Sequence, residues 1–441
     1  SKILKDFFCI FENNFSFVIL NEAKQNEESF YSIDSSLHFI TLRMTESFNN
    51  KHSIKMQLIF SDAQFWGDFL PLTYTKPIAE LRTGILTFSE RWQKLLDSSE
   101  VSYITEDYLQ KKYKSYEKKE SLLITPNFLP SESVLAQIKN LQLGEALIYE
   151  NEVLAARLNM ENFSLSQIEK MTDITEELIF FKKATDLFSL NDKAIDFDFE
   201  LVTKGRTSAP LSETNGFLGN KEDLFIEEGA EIEFATLNCK TGKIYIGKNA
   251  EIMEGSVIRG SLALCEGSKI NMGSKIYGAT TIGPHSKVGG EVNNIVITGF
   301  TNKGHEGFVG NSVIGEWCNL GADTNSSNLK NNYAEVKLWS YPSKKFVKTG
   351  LQFCGLIMGD HSKTAINTQF NTGTVVGVGA NIFKSGFPPN LIEHFSWGGF
   401  KGDEKFRLET AYEVAEKAMA RRKIALTEED KEILKWVYEN C

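Results

Sequence analysis

An aliphatic residue returns every sixth position through the middle of this chain, at Ile246, Ile252, Ile258, Leu264, Ile270, Ile276, Ile282 and Val288. The positions between are mostly Gly, Ser, Ala, Asn and charged residues. A period of six fits neither the single apolar face of a helix nor the alternation of an ordinary strand. It is the signature of a parallel β-helix, in which each hexapeptide supplies one short strand and one bend. The recurring aliphatic points inward, and three hexapeptides close one triangular coil whose neighbours bury a continuous column. Small residues beside it permit tight corners. Ile226 and Ile232 belong to the same ladder, which resumes at Ile314 and Leu320 and again at Met358, Thr364, Phe370, Val376 and Ile382. The gaps between these runs read as loops expelled from the coil, and they hold the chemically interesting side chains.

The rest of the 441 residues divides around that ladder. Residues 1–55 are rich in Phe, Asn and Ser without a period and read as a poorly ordered or non-native extension. Their FFCIFENNFSFVIL stretch is only faintly like a signal peptide, because Glu12, Asn13 and Asn14 interrupt it and no small-residue cleavage site follows. Residues 56–200 alternate strand and helix patterns. MQLIF, SLLITPNF and EALIYENEVLAARL read as strands, ILTFSERWQKLL as an amphipathic helix, and SLSQIEKMT and KATDLFSLNDKAIDFDFELVTK as helical or mixed. Such alternation predicts a parallel sheet covered by helices. Residues 201–222 read as a linker, 223–390 as the β-helix, and 391–441 as helical, with Thr427 opening the last helix.

Composition excludes several classes. The net charge of −10 and the lack of an evident basic patch argue against a nucleic-acid partner. No apolar run is long enough to span a bilayer. Six scattered cysteines without a C-x-x-C motif suit a reducing, cytoplasmic setting, and Cys265 reads as a small core residue at an inward aliphatic position.

Four stretches carry a family likeness: LPLTYTKPIAELRTGI, GATTIGPHSKVGGEV, NKGHEGFVGNSVIGEWCNLGADTNSSNLKNNYAEVKLW and MGDHSKTAINTQFNTGTVVGVGANIF. On these, the chain from Met56 onward resembles the bifunctional N-acetylglucosamine-1-phosphate uridylyltransferase / glucosamine-1-phosphate N-acetyltransferase family, in a variant sugar nucleotidyltransferase branch. The resemblance implies an α/β nucleotidyltransferase-like (Rossmann-like) domain, a left-handed parallel β-helix and a homotrimer. It also implies acetyl-CoA and UTP as co-substrates, Mg²⁺ for nucleotidyl transfer, and a sugar phosphate and a nucleotide as small-molecule partners.

Acetyl transfer to an amine needs a base of near-neutral pKa and N–H groups aimed at the developing oxyanion. His305 matches the Gly-His of the family's catalytic loop and is the expected base. Asn328 ends the family's G-A-x-T-x-x-x-N pattern and is expected to contact substrate, with His361 and Ser362 as weaker matches. Gly377, Gly379 and Ala380 are expected to let backbone approach acetyl-CoA, and Lys384 to meet its phosphates. Phe308 stands where the family has Tyr, and Gly289 or Gly290 where it has Arg, which leaves Lys287 and Lys303 as substitutes for the phosphate contact. In the N-terminal domain, Thr73, Lys76 and Arg82 are expected to meet nucleotide phosphates, with Glu80 holding Arg82. The loop after the first strand lacks the family's glycines, and Asn127 stands where a metal-binding Asp is usual, so the metal ligands are left unassigned. Three readings therefore stand: a bifunctional enzyme making UDP-N-acetylglucosamine, an acyltransferase with a degenerate nucleotide domain, and a non-catalytic trimeric scaffold.

Overall fold

The computed structural model describes residues 56–117 and 119–441, and the expectations for residues 1–55 lie outside them. The N-terminal sheet contains β1 (Gln57–Ser61), β2 (Val101–Ile104), β3 (Glu120–Ile124), β4 (Glu145–Tyr149), β5 (Glu152–Asn159) and β6 (Lys170–Asp173). They lie in the order β2-β1-β3-β5-β4-β6. β1 runs parallel to β2 and β3, but β5 runs antiparallel to both β3 and β4. The sheet is therefore mixed rather than parallel. The short Glu150–Asn151 turn, with both residues at positive φ, joins β4 and β5 as a hairpin and leaves no room for a crossover helix. The SLSQIEKMT stretch forms a 3₁₀ turn and then β6, which pairs with β4.

Helix α1 (Phe88–Leu96) starts later than its apolar pattern because Thr87 caps it. The Thr87 hydroxyl accepts from Glu90 N at 3.1 Å, and the Glu90 carboxylate accepts from Thr87 N at 2.7 Å. Helices α2 (Glu132–Asn140) and α3 (Asn191–Thr203) complete this domain. α3 packs against the solenoid through Ile195 and Phe199, which meet Phe225 and Ala263. Gly84, at φ +71°, is forced here, because a Cβ would sit 2.5 Å from Asp198 Oδ2.

The hexapeptide ladder forms the expected parallel solenoid. Ile246, Leu264, Ile282 and Ile297 stack in register, continuing through Ile314, Met358, Val376 and Ile392. Each is at most 2% exposed. The first strand, Gly216–Leu218, pairs with Thr236–Asn238 inside the stretch read as linker, and Trp397–Gly398 still pairs with Asn381–Ile382.

One expectation is corrected. Between Val288 and Ile314 no loop is expelled. The coil continues through Val292, Ile297, Lys303 and Val309 with shortened corners. The coil then continues through Leu320 and Ser326, and the excursion lies between Ser326 and Gly355 instead, where it carries an antiparallel hairpin of Lys337–Ser340 and Lys345–Lys348. A second correction concerns Cys265. Leu264 takes the inward position, and the Cys265 thiol faces Ile85 O at 3.6 Å, against the N-terminal domain.

Helices α4 (Leu408–Ala420) and α5 (Glu428–Asn440) close the chain, α5 opening on a Thr427–Asp430 capping box. They pack with Leu70 and Tyr74 of the N-terminal domain and with Trp317, Val378 and Phe395 of the solenoid. Tyr108 and Trp436 stack at 3.7 Å. No helix among the described residues is long and apolar enough to cross a membrane.

Candidate functional site

His305 follows strand Asn302–Lys303 at a solenoid corner and is exposed. The corner of the preceding coil is only Gly289–Gly290. A Cβ on Gly289 would lie 2.5 Å from Gly304 O, and one on Gly290 2.7 Å from Glu306 Cα. Absent side chains there let the His305 corner close down on its neighbour. Lys303 pairs in register with Val288, so its side chain enters the position that aliphatics hold elsewhere. It is 2% exposed, and its Nζ donates to Gly289 O at 2.7 Å and to His305 O at 2.8 Å. Burial pushes its pKa down to about 8, against the opposing pull of Glu306 and Asp323. The phosphate contact expected of Lys303 is thus replaced by a grip on the backbone of the His305 corner. Lys287 stays half-buried on the outward side, level with Asn302.

Asn328 completes a column of asparagines. Its amide donates to Asn311 Oδ1 at 2.8 Å. The Asn311 amide donates in turn to Asn294, whose own amide, oriented to satisfy both ends, donates to Phe188 O and Ala279 O. The Phe308 ring and the Asn328 amide both overlie Gly310, where a Cβ would come within 2.6 Å and 2.7 Å of them.

His361, Ser362, Gly377, Gly379 and Ala380 lie elsewhere. Asn302, Asn319 and Lys363 are bridged side by side, so His305 follows one solenoid face and His361 precedes it. The structure does not bring the two histidines together. His361 ends a column with His285, Phe300 and Trp317, all at positive φ, in which Phe300 and Trp317 stack at 4.3 Å. Burial pushes the His361 pKa down to about 3. Ser362 is fully buried; its hydroxyl donates to Gly377 O at 2.6 Å and accepts from Ala380 N at 3.0 Å. Gly377 has no room for a side chain, because a Cβ would lie 2.6 Å from His394 N. These residues staple successive coils beneath the C-terminal helices. Lys384 is exposed and paired with Asp403.

The four N-terminal candidates are engaged within the protein. Thr73 donates to Trp66 O at 2.8 Å. Lys76 is 4% exposed, with Nζ 2.6 Å from Glu316 and 3.0 Å from Asp360 across the domain boundary. Glu80 accepts from Tyr103 OH at 2.6 Å. Arg82 is held by Glu90 at 3.1 Å rather than by Glu80. The loop after β1 is filled by buried Phe65, Phe69, Leu70 and Leu72. Asp62, at its start, accepts from Ile78 N and the Thr105 hydroxyl, and burial pushes its pKa up to about 7. Asn127 is fully buried and donates to Phe181 O at 2.6 Å, with its Oδ1 unpartnered. Among the described residues no three His, Cys, Asp or Glu side chains group to hold a metal ion.

Two features had no local signal in the sequence. One is the fully buried Arg91–Asp198 pair at 2.7 Å, where Asp198 also accepts from Ile85 N and Leu86 N. The other is the Thr75–Asp360 hydrogen bond at 2.6 Å, between residues 285 positions apart.

Residues 57–207 match the family model described as sugar nucleotidyl transferase. Over 144 residues the chain is 33% identical to a bifunctional sugar-1-phosphate nucleotidylyltransferase/acetyltransferase of Sulfurisphaera tokodaii, covering 32% of this chain and 35% of that one. Over 87 residues it is 38% identical to the bifunctional protein GlmU of Methanocaldococcus jannaschii, covering 20% and 21%. The matched segments thus span about a third and a fifth of the length of these curated relatives. A solved structure, the polySia specific acetyltransferase NeuO, aligns at 12% identity and a TM-score of 0.24 over 47% of this chain and 94% of its own, too loosely to carry an argument. With a sugar nucleotidyl transferase domain leading into a parallel β-solenoid closed by two helices, the chain bears out the resemblance read from its motifs, to the bifunctional sugar-1-phosphate nucleotidyltransferase/acetyltransferases.

Proposed function

We propose that this chain is a bifunctional transferase of sugar-nucleotide synthesis. Its solenoid N-acetylates glucosamine 1-phosphate from acetyl-CoA, and its N-terminal domain joins the product to uridylyl from UTP, giving UDP-N-acetylglucosamine and pyrophosphate. The observation that carries the reading is the exposed His305 on a corner whose backbone is held from inside by Lys303. In the acetyl step His305 takes the proton of the attacking amine, whose electron pair forms the new C–N bond as the thioester C–S bond breaks, and His305 then returns the proton to the departing thiolate, which leaves as thiol. Asn328 and Lys287 are the acceptor contacts in this proposal, and Lys384 with the coil about Gly379 the acetyl-CoA contacts. The working unit is a cytoplasmic homotrimer.

The uridylyl half rests on the domain match over residues 57–207 rather than on Thr73, Lys76, Glu80 and Arg82. Their internal engagement, with the apolar filling of the loop after β1, favours a second reading in which only acetyl transfer survives.

A two-stage assay tests both. Acetyl-CoA and glucosamine 1-phosphate are supplied first while free thiol is followed, and UTP with Mg²⁺ is added next while pyrophosphate is followed. Both signals are expected. Thiol without pyrophosphate supports the second reading. His305→Ala is expected to abolish the thiol signal and leave the solenoid folded, and normal turnover in that variant would remove His305 as the base.

A further inference from the structure

A lysine stacked inside an apolar column is costly. Lys303 lies between Val288 and Leu320, which are at most 1% exposed. Its ammonium is bonded to two backbone carbonyls, neither of which carries a compensating charge. Residues that break a local rule in this way concentrate at functional sites, where another gain offsets the loss of stability.

The gain here lies around His305. The His305 carbonyl accepts from Lys303 Nζ at 2.8 Å, and the same Nζ is fixed by Gly289 O at 2.7 Å. The Gly304 carbonyl, on the other side of the His305 Cα, accepts from Asn271 Nδ2 at 2.7 Å. Asn271 belongs to the corner two coils below. Its own backbone is set, because Asn271 N donates to Val288 O at 2.7 Å and Asn271 O accepts from the Ser256 hydroxyl at 3.0 Å. The amide reaches past the intervening coil because Gly289 stands there. A Cβ on Gly289 would lie 2.5 Å from Gly304 O, the atom that the amide bonds.

The Gly304 carbonyl lies in the peptide plane before the His305 Cα, and the His305 carbonyl in the plane after it. With both planes held, the two backbone torsions of His305 are fixed, and so is the direction in which its side chain leaves the corner. Only side-chain rotation remains to the imidazole. A base must sit within hydrogen-bond reach of the proton it takes, so the aim of that bond bears directly on turnover.

We infer that Asn271 and Lys303 are positioning residues for His305, each holding one of the two peptide planes that flank it, with the reading of His305 as the base in acetyl transfer as the premise.

Two variants of the full chain test it. Asn271→Asp keeps the size of the side chain and removes its N–H donor. Lys303→Met fills the apolar column and removes the ammonium. In the thiol assay with acetyl-CoA and glucosamine 1-phosphate, each is expected to lower kcat about ten- to hundredfold and to leave KM within about twofold. Urea titration under the assay conditions separates lost turnover from lost fold. A second readout needs no turnover. With histidine rings labelled with carbon-13, the His305 signal, identified by its loss in His305→Ala, is expected to shift or broaden in both variants, while the signals of buried His361 and His394 stay in place. Parent-like kcat in either variant, with His305→Ala inactive, would strike that residue from the inference, and an unmoved His305 signal in both would overturn it whole. A fully active His305→Ala together with a moved signal would instead remove His305 as the base and leave the hold on its corner standing.

Discussion

Lys76→Met removes a cation from the contact between the N-terminal domain and the solenoid while keeping most of the side chain's length. Lys76 Nζ lies 2.6 Å from Glu316 Oε2 and 3.0 Å from Asp360 Oδ2. In the variant, Asp360 keeps the Thr75 hydroxyl at 2.6 Å and Glu316 N at 2.8 Å, but it loses its counter-charge at 3% exposure. Breaking a buried pair from one side costs about 3–5 kcal/mol. Two retained donors on Asp360, and 28% exposure of the Glu316 side chain, place the expected loss near the lower end, about 3 kcal/mol.

The pH dependence separates this account from simple loss of packing. Burial alone would raise the Asp360 pKa, but Lys76 and the Thr75 hydroxyl pull it below the ordinary value. Its contribution is therefore present above the unfolded value, about 3.9, and is lost as pH falls through the depressed folded value. Burial would lower the Lys76 pKa, yet Asp360 and Glu316 raise it overall. Its contribution is complete below about 10.4 and is lost as pH rises through the folded value. In the variant, uncompensated burial raises the Asp360 pKa instead. The deficit should then close by about 1.4 kcal/mol per pH unit as pH falls below that raised value. Urea titration of both proteins across mildly acidic to neutral pH measures this, with equal m-values as the check that the same surface unfolds. A deficit under about 1 kcal/mol at neutral pH, or one that does not change with pH, would refute the reasoning. Repeating the substitution in an Asp360→Asn background should recover about 2 kcal/mol.

Lys303, with its pKa pushed down to about 8 by burial, gives a second pH signature. The unfolded chain holds that proton to about pH 10.4, so the penalty on the charged form is complete below the folded value. Stability should rise with pH between the two values, by about 1.4 kcal/mol per unit. Lys303→Met should lack that slope in urea titrations on either side of the window, and an unchanged slope would point to another group. Ile270→Ala, at 0% exposure between Ile252 and Val288, should cost about 3 kcal/mol. Met272→Ala on the neighbouring corner, at 68% exposure, should stay within about 0.5 kcal/mol by the same measurement.

The solenoid was legible because its period is local. Each inward aliphatic repeats at a fixed step, and neighbouring coils make the same contact again. Helix α5 was legible for a similar reason, since Thr427 and Asp430 cap it within one turn. The continuation through Val292, Ile297, Lys303 and Val309 was not, because shortened corners shift the register and a lysine takes an aliphatic position. The mixed sheet was missed because strand direction depends on the β4–β5 turn, which the hydrophobic pattern does not report.

The candidate site divides along the same line. Repeats and motifs along the chain were enough to establish a prism, to mark His305 and Asn328, and to point to a sugar nucleotidyl transferase domain before it. Chain order could not say where the side chains' partners lie. Only the tertiary structure turned Lys303 inward, drew Lys76 to Asp360 and Glu316, and used Ser362 as a staple between coils. Those outcomes depend on charge pairing and burial between residues far apart in sequence, and neither has a period to be read.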